Sequence, residues 1–284
     1  MSRKLGQHFL VNKNKIQKIV EALELKKGDV VVEIGPGHGE LTTEIRNNKL
    51  ENRIIAIEKD KILANGLREK FKDNNNIEII EGDALKILTD LTYNSKLTTN
   101  NYKLTGNIPY YITGSLLRIL SELENKPLLI VLTIQKEVAQ RICAKPPQMN
   151  LLAAITQFWT EPKIIEYISK NDFRPIPKVD SAIIRLTTYN PEGKQASYGA
   201  GQQFTTEEAE KYYKFVKVLF KQPRKTIINN LRDANILMHT NYTNKKIQLK
   251  KEEIIGKFQM FGINPQDRPQ NLSLEQIKHL STLF

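Results

Sequence analysis

Five short apolar runs dominate the first half of the chain: VVVEIG (30–35), IIAIE (54–58), IEIIEG (77–82), YKLTG (102–106) and LLIVLT (128–133). Each is continuously apolar rather than alternating, which is the pattern of a strand buried on both faces. Between them lie LTTEIRNN, ILANGLREKF and GSLLRILSEL, where apolar residues recur at helical spacing. Parallel strands need a long crossover, and a helix supplies it. The alternation therefore predicts an α/β fold with a parallel sheet covered by helices on both faces. Two further strand candidates follow, KIIEYI (163–168) and SAIIRLTTY (181–189).

The pattern then breaks. NPEGKQASYGAGQQ (190–203) is polar and rich in Gly, Ser and Gln, and reads as a linker. FTTEEAEKYYKFVKVLFKQ follows, with Thr205 and Glu208 at capping-box spacing before a helical run. The remainder has helical spacing and no strand signal. The reading is an α/β domain over 1–189, a linker at 190–203 and a small basic helical domain over 204–284. A chain of 284 residues has material for both cores.

Charge is unevenly spread. The net charge is +12. Residues 1–27 carry seven basic against two acidic side chains, and residues 204–284 carry fourteen against eight. The middle is nearly balanced. Two basic ends serve solubility, or form surfaces that touch the phosphates of a polyanion. Lys217, Lys221, Arg224 and Lys225 cluster in the second basic end, with Arg232 close by and no acidic residue among them. Helical spacing would put Lys217, Lys221 and Lys225 on one face, where they repel unless a polyanion neutralises them.

Cys143 is the only cysteine, so an internal disulfide is excluded and a reducing compartment is expected. It sits in a helix-like run and reads as a buried small hydrophobe. The longest apolar run, LLIVLTI (128–134), is too short to span a membrane, and the N-terminus lacks an apolar signal segment. Four His without Cys partners give no metal-ligand spacing. These features point to a cytoplasmic protein without membrane or metal.

The first strand ends in EIGPGHGELT, placing Gly35, Gly37 and Gly39 between a strand and a helix. Such a loop lets backbone approach a ligand closely. The third glycine comes one residue too early for the dinucleotide pattern G-x-G-x-x-G. Glu58 closes the second strand and can accept both ribose hydroxyls. Asp83 follows the third strand in EGDAL and can accept from an adenine amino group. Either acid alone is equally a solvated strand end, but three features at successive strand ends favour a pocket. A ligand with an adenosine and no pyrophosphate fits it better than NAD, and S-adenosylmethionine has that shape. Glu33, just ahead of the glycines, either anchors that ligand's amino group or orders the loop.

TGNIPYYIT (105–113) follows the fourth strand and so faces the same crevice. Alone it is a turn as readily as a site. Beside a methyl donor its chemistry is specific. An exocyclic amino group is a poor nucleophile, because its lone pair is delocalised into the ring. The Asn107 amide oxygen and a backbone carbonyl fixed by Pro109 can accept its two N–H bonds and turn the lone pair toward the methyl group. Tyr110 can stack on the base. The gain would come mostly from proximity and orientation.

These residues resemble the ribosomal RNA adenine N6-dimethyltransferases of the KsgA and eukaryotic Dim type. KLGQHFLVN (4–12), EIGPGHGELT, AIEKD, EGDAL, GNIPYYIT, LTIQKEVAQRI, NDFRPIPKVDSAIIRL (171–186) and LFKQPRKTIINNL (219–231) match in order over most of the chain. The resemblance implies a Rossmann-like methyltransferase domain with a mostly parallel seven-stranded sheet, plus a small all-α C-terminal domain. It implies that His8, Leu10, Gly35, Glu58, Asp83 and Asn107 line the adenosylmethionine site. It also implies that Asn107, Tyr110 and Phe173 hold the target adenine, with Phe173 on the face opposite Tyr110. Without the resemblance, Phe173 reads equally as a core residue between strands. Position 8 is His where some members have Asn, and position 223 is Pro where many have Arg. His38 and Trp159 read as loop and core residues.

The expected activity is dimethylation of two adjacent adenosines near the 3′ end of small-subunit rRNA, by a monomer acting on the assembling small ribosomal subunit. An Erm-type methyltransferase of large-subunit rRNA is the nearest alternative. A non-catalytic RNA-binding or transcription-factor relative is the other, and the intact NIPY, Glu58 and Asp83 argue against it.

Overall fold

The structure, a computed structural model, describes residues 7–93, 97, 102–189, 206–233, 255–256, 258–259 and 261–283. The linker at 190–203 and the capping residue Thr205 lie outside the described residues. In chain order the elements are β1 (Phe9–Leu10), α1 (Lys13–Ala22), β2 (Val30–Ile34), α2 (Glu40–Asn47), β3 (Arg53–Glu58), α3 (Lys61–Lys70), β4 (Ile77–Glu81), α4 (Ala84–Tyr93), β5 (Tyr102–Asn107), α5 (Thr113–Glu122) and β6 (Leu129–Gln135). They continue as α6 (Lys136–Ile142), α7 (Leu151–Trp159), β7 (Thr160–Ile168), β8 (Phe173–Arg174), β9 (Ser181–Thr188), α8 (Thr206–Leu219), α9 (Ile227–Asp233) and α10 (Leu274–Leu283).

Seven strands form one sheet in the order β4-β3-β2-β5-β6-β9-β7. The first five run parallel; β9 is antiparallel to both β6 and β7. All seven strand segments read from the sequence are present. Val31, Val32, Ile54, Ile55, Leu104, Ile130 and Val131 are fully buried, because helices cover both faces of the sheet. Ile34 pairs with Ile57 and Gly106, and Glu58 pairs with Glu81, so four parallel strands end along a common edge.

The tightest point of that edge lies between β2 and β5. A side-chain carbon on Gly106 would sit 2.4 Å from the Ile34 carbonyl oxygen and 3.0 Å from Ile108 Cδ1. Glycine there lets the two backbones close, and the next residue is Asn107. This explains the glycine before Asn107: it is needed for strand packing, not for a hairpin turn.

A second, two-stranded ladder has no signature in the sequence. β1 pairs antiparallel with β8, placing Phe9 opposite Arg174 and Leu10 opposite Phe173. The Val11 amide donates to the Asp172 carbonyl at 2.9 Å, and Asn12 Nδ2 donates to Asp172 Oδ1 at 2.8 Å. The Asn12 side-chain oxygen also accepts from the amides of Asn14 and Lys15, so Asn12 caps α1 and anchors the segment ahead of it.

The contacts divide the chain into two compact units. One comprises Met1–Gln140 and Thr160–Asn190, and the other Arg141–Trp159 and Pro191–Phe284. The sequence reading counted 141–159 with the first domain, whereas the contacts group this stretch with the C-terminal helices. Phe158 stacks on Tyr212 with ring centroids 3.9 Å apart, and the Tyr212 hydroxyl donates to the Ala154 carbonyl. Trp159 is buried, as expected of a core residue. Cys143 follows the end of α6 and is half-buried rather than fully buried.

Helices are the regular secondary structure of the second unit among its described residues. Its basic cluster departs from expectation. α8 stops at Leu219, and residues 220–226 form a turn before α9, so Lys217, Lys221 and Lys225 do not share a helix face. Pro223 lacks the amide that a continuing helix needs. The Asn230 side chain holds the turn, accepting from the Gln222 amide at 3.1 Å and donating to the Gln222 carbonyl at 3.0 Å.

Gly106→Ala should force β2 and β5 apart. Overpacking of this kind costs about 1–3 kcal/mol. Chemical denaturation of the variant should show that loss, and an unchanged midpoint would mean the two backbones have room to spare.

Candidate active site

The common strand edge opens into a solvent-connected cleft. Gly35 and Gly37 line it after β2, Glu58 and Lys59 at the end of β3, Gly82 and Asp83 after β4, and Asn107 through Ile112 at the end of β5. Gln7, His8 and Phe9 complete the wall. The carboxyl ends of parallel strands where the winding reverses are the expected place for a ligand crevice.

Gly37 shows how closely the N-terminal segment covers the glycine loop. Its φ is +62°, and a side-chain carbon there would lie 2.7 Å from the Phe9 ring. Phe9 in turn packs on His38 at 4.5 Å between centroids. His38 is an exposed loop residue, as expected.

Glu58 is buried and accepts the Gly37 amide at 3.1 Å on one oxygen and the Asp60 amide at 2.9 Å on the other. Burial raises its pKa, and those amide hydrogen bonds oppose the rise. Asp83 is held differently. Lys59 Nζ donates to its Oδ2 at 2.8 Å, and the Leu85 amide donates to its Oδ1 at 3.0 Å. The lysine keeps the Asp83 carboxyl below the ordinary range. Two carboxylates of different character thus end successive strands.

On the opposite side, Asn107 Nδ2 donates to the His8 carbonyl at 2.6 Å. That bond settles the amide orientation and leaves Oδ1 without a hydrogen bond among the described residues. The Pro109 carbonyl accepts the Ile112 amide at 3.0 Å, whereas the Ile108 carbonyl accepts no described donor. Two acceptors, the Asn107 side chain and the Ile108 backbone, therefore stand free on one loop. The Tyr110 ring lies 6.2 Å from the His8 ring at 27°. Its hydroxyl is 2.9 Å from Ser181 Oγ, and burial pushes its pKa up. His8 Nδ1 is 2.7 Å from the Pro175 carbonyl and donates to it.

A family model described as ribosomal RNA adenine dimethylase matches residues 1–261. The chain belongs to this family. It is 35% identical over 282 residues to a Dehalococcoides mccartyi protein named ribosomal RNA small subunit methyltransferase A, covering 99% of this chain and 87% of that one. A protein of the same name from Clostridium botulinum is 34% identical, with 99% and 92% covered. One from Mycoplasma capricolum is 35% identical, with 98% and 96% covered. Among solved structures, a dimethyladenosine transferase from Plasmodium falciparum superposes with a TM-score of 0.75 at 23% identity, over 96% of this chain and 95% of that one. The 23S rRNA methyltransferase ErmE gives 0.67 at 24%, over 96% and 98%. At those identities the two structures share the fold.

The structure brings together on the cavity wall His8, Gly35, Gly37, Glu58, Asp83, Asn107, Pro109 and Tyr110. Four expected residues do not line it. Leu10 is buried in the core behind β1. Gly39 opens α2 and faces Leu67 and Phe71. Glu33 is 1% exposed and accepts the Thr42 hydroxyl at 2.6 Å, which ties the end of β2 to the first turn of α2. Of its two suggested roles, ordering the loop is the one this geometry supports. Phe173 is 1% exposed and packs in the cluster formed by Leu10, Ile16, Ile19 and Ile168, the core arrangement that its sequence position also allowed. Lys59 and Tyr111 were overlooked in the sequence. Lys59 stands beside Glu58 in AIEKD, and its position just past a strand end was the available signal. Among the described residues no group of three or more His, Cys, Asp and Glu is placed to hold a metal ion.

Phe173→Ala should behave as a core deletion, costing about 3–5 kcal/mol of stability. Thermal denaturation should show a large drop while the folded fraction keeps near-normal specific activity. A normal melting temperature with turnover lost would return Phe173 to base stacking.

Burial, above all, pushes the Glu33 carboxyl to about 7, against 4.5 for the ordinary group. Between those values the folded protein holds a proton that the unfolded chain has released. Rising pH therefore favours unfolding through this group, and its penalty is complete above about 7. Relative to wild type, Glu33→Gln should gain stability across that window, by about 3 kcal/mol at most. Denaturant titrations at about pH 5 and about pH 8 compare the two proteins. A difference that does not change between them would show that Glu33 is ionised throughout.

Proposed function

We propose that this chain transfers methyl groups from S-adenosylmethionine to the N6 amino groups of two adjacent adenosines near the 3′ end of small-subunit rRNA, as the subunit assembles in the cytoplasm. Family membership and near full-length relatives named as small-subunit methyltransferases support the substrate. The observation that carries the chemistry is the Asn107 amide, oriented by the His8 carbonyl so that its Oδ1 is left without a hydrogen bond among the described residues.

Bound adenosylmethionine supplies a methyl group made electrophilic by its sulfonium. The residues present fit such a molecule. Gly35 and Gly37 admit close backbone approach, Glu58 is placed for ribose hydroxyls, and Asp83 for an adenine amino group. On the acceptor side, Asn107 Oδ1 and the Ile108 carbonyl take the two N–H bonds of the target amine. This aims the lone pair and stabilises the positive charge that grows on nitrogen. Tyr110 and His8 offer ring faces to the target base. The proton leaves after the nitrogen becomes cationic, so a strong base is not required.

Lys217, Lys221, Arg224 and Lys225 are exposed at the end of α8 and in the turn that follows. In this reading they touch rRNA phosphates, in a looped rather than a helical array.

Transfer of tritiated methyl from adenosylmethionine to immature small or large subunits tests the proposal. Label should enter small subunits. Asn107→Ala should reduce turnover at least about 100-fold while leaving rRNA binding nearly intact. Label in large subunits would favour the ErmE-like activity, and no transfer to either would favour a non-catalytic RNA-binding protein.

A further inference from the structure

The segment FRPIPKVDS (173–181) borders the cavity wall, yet its aromatic residue is committed to the core. Its contacts with the site come from two other positions. The Pro175 carbonyl accepts from the His8 ring at 2.7 Å, and Ser181 Oγ meets the Tyr110 hydroxyl at 2.9 Å. Ser181 is fully buried at the start of β9, paired with Gln135 of β6 and Ile168 of β7. Its backbone is held on both sides, so its hydroxyl is a fixed point. Tyr110 belongs to the loop after β5 and has no such ladder.

The tyrosine hydroxyl lies on the axis about which the ring turns. A hydrogen bond at that atom therefore fixes where the ring stands, through χ1, and leaves its tilt to neighbours. The His8 ring, at 27° to it, is such a neighbour and is itself tethered by Pro175. A buried hydroxyl needs a partner, and among the described residues Tyr110 is the one Ser181 has.

We infer that Ser181 is a positioning residue: its hydroxyl holds the Tyr110 ring where the target base must lie against it. The inference rests on the rRNA adenine methyltransferase reading. FRPIPKVDS then shapes the base site indirectly, through the placement of Tyr110 and His8, and Phe173 only secures the segment.

The test compares Tyr110→Phe, Ser181→Ala and the double variant with wild type on immature small subunits, reading kcat and KM separately. Adenosylmethionine affinity is measured by calorimetry, and melting temperature alongside. Each single substitution should lower kcat about fivefold, the factor matching one neutral hydrogen bond. The double variant should lose no more than either single, because one bond is removed in all three. The ratio of singly to doubly methylated adenine should rise, since the second transfer must place a bulkier amine. Adenosylmethionine affinity should not move. Unchanged kcat in variants with lowered melting temperature, or losses that multiply in the double variant, would overturn the inference. If Ser181→Ala fails to fold, Tyr110→Phe alone decides, as it deletes only a hydroxyl from a half-buried ring. An inactive wild type in the same assay would sink the parent reading; an active wild type with equally active variants sinks only this one.

Discussion

Parallel strands β2 and β5 run so close that the Ile34 carbonyl fills the space where a side chain on Gly106 would begin. The site hangs on that contact. It is where the sheet reverses its winding, with β3 and β4 to one side and β6, β9 and β7 to the other. The reversal makes the cavity two-sided. Glu58, Lys59 and Asp83 come from one direction, and Asn107, Ile108 and Tyr110 from the other. A donor of a small group and its acceptor need this kind of arrangement, because each must be gripped separately while the reacting atoms meet in between.

The grip on the acceptor side is built from long-range polar contacts. His8 serves twice: its carbonyl orients the Asn107 amide, and its ring donates to the Pro175 carbonyl. Asn12 extends the same join through Asp172. Three stretches far apart in the chain therefore set one amide. Each such bond contributes only about 1 kcal/mol net. Their value here is orientational, since an amide rotated by half a turn would present a donor where an acceptor is required.

Much of the fold was legible because burial leaves a local trace. Strands covered on both faces read as continuous apolar runs, so the central strands stood out, and the partly exposed edge strands β4 and β7 kept enough apolar residues to be read as well. Glu58, Asp83 and Asn107 were legible because each ends such a run. The β1–β8 ladder was not, since two-residue strands carry no period and pair across more than 160 residues. Phe173 was ambiguous because an aromatic before prolines looks the same whether it faces a cavity or Leu10. The basic cluster at 217–225 has helical spacing, and only Pro223 hinted at the turn that Asn230 closes. Residues 151–159 carried no assignment beyond a core Trp159, and nothing local in them says which partner α7 packs on.

That last feature bears on how the protein is made. α7 emerges from the ribosome ahead of β7 and β9, yet its packing partners are α8 and α10. About 50 residues separate Trp159 from α8. At about 5–20 residues per second, α7 waits several seconds for α8 and longer for α10. During that time Phe158, Trp159 and the apolar face around them lack their final cover. The order of synthesis therefore leaves a sticky helix exposed midway through translation, a task for a chaperone or for prompt completion of the chain.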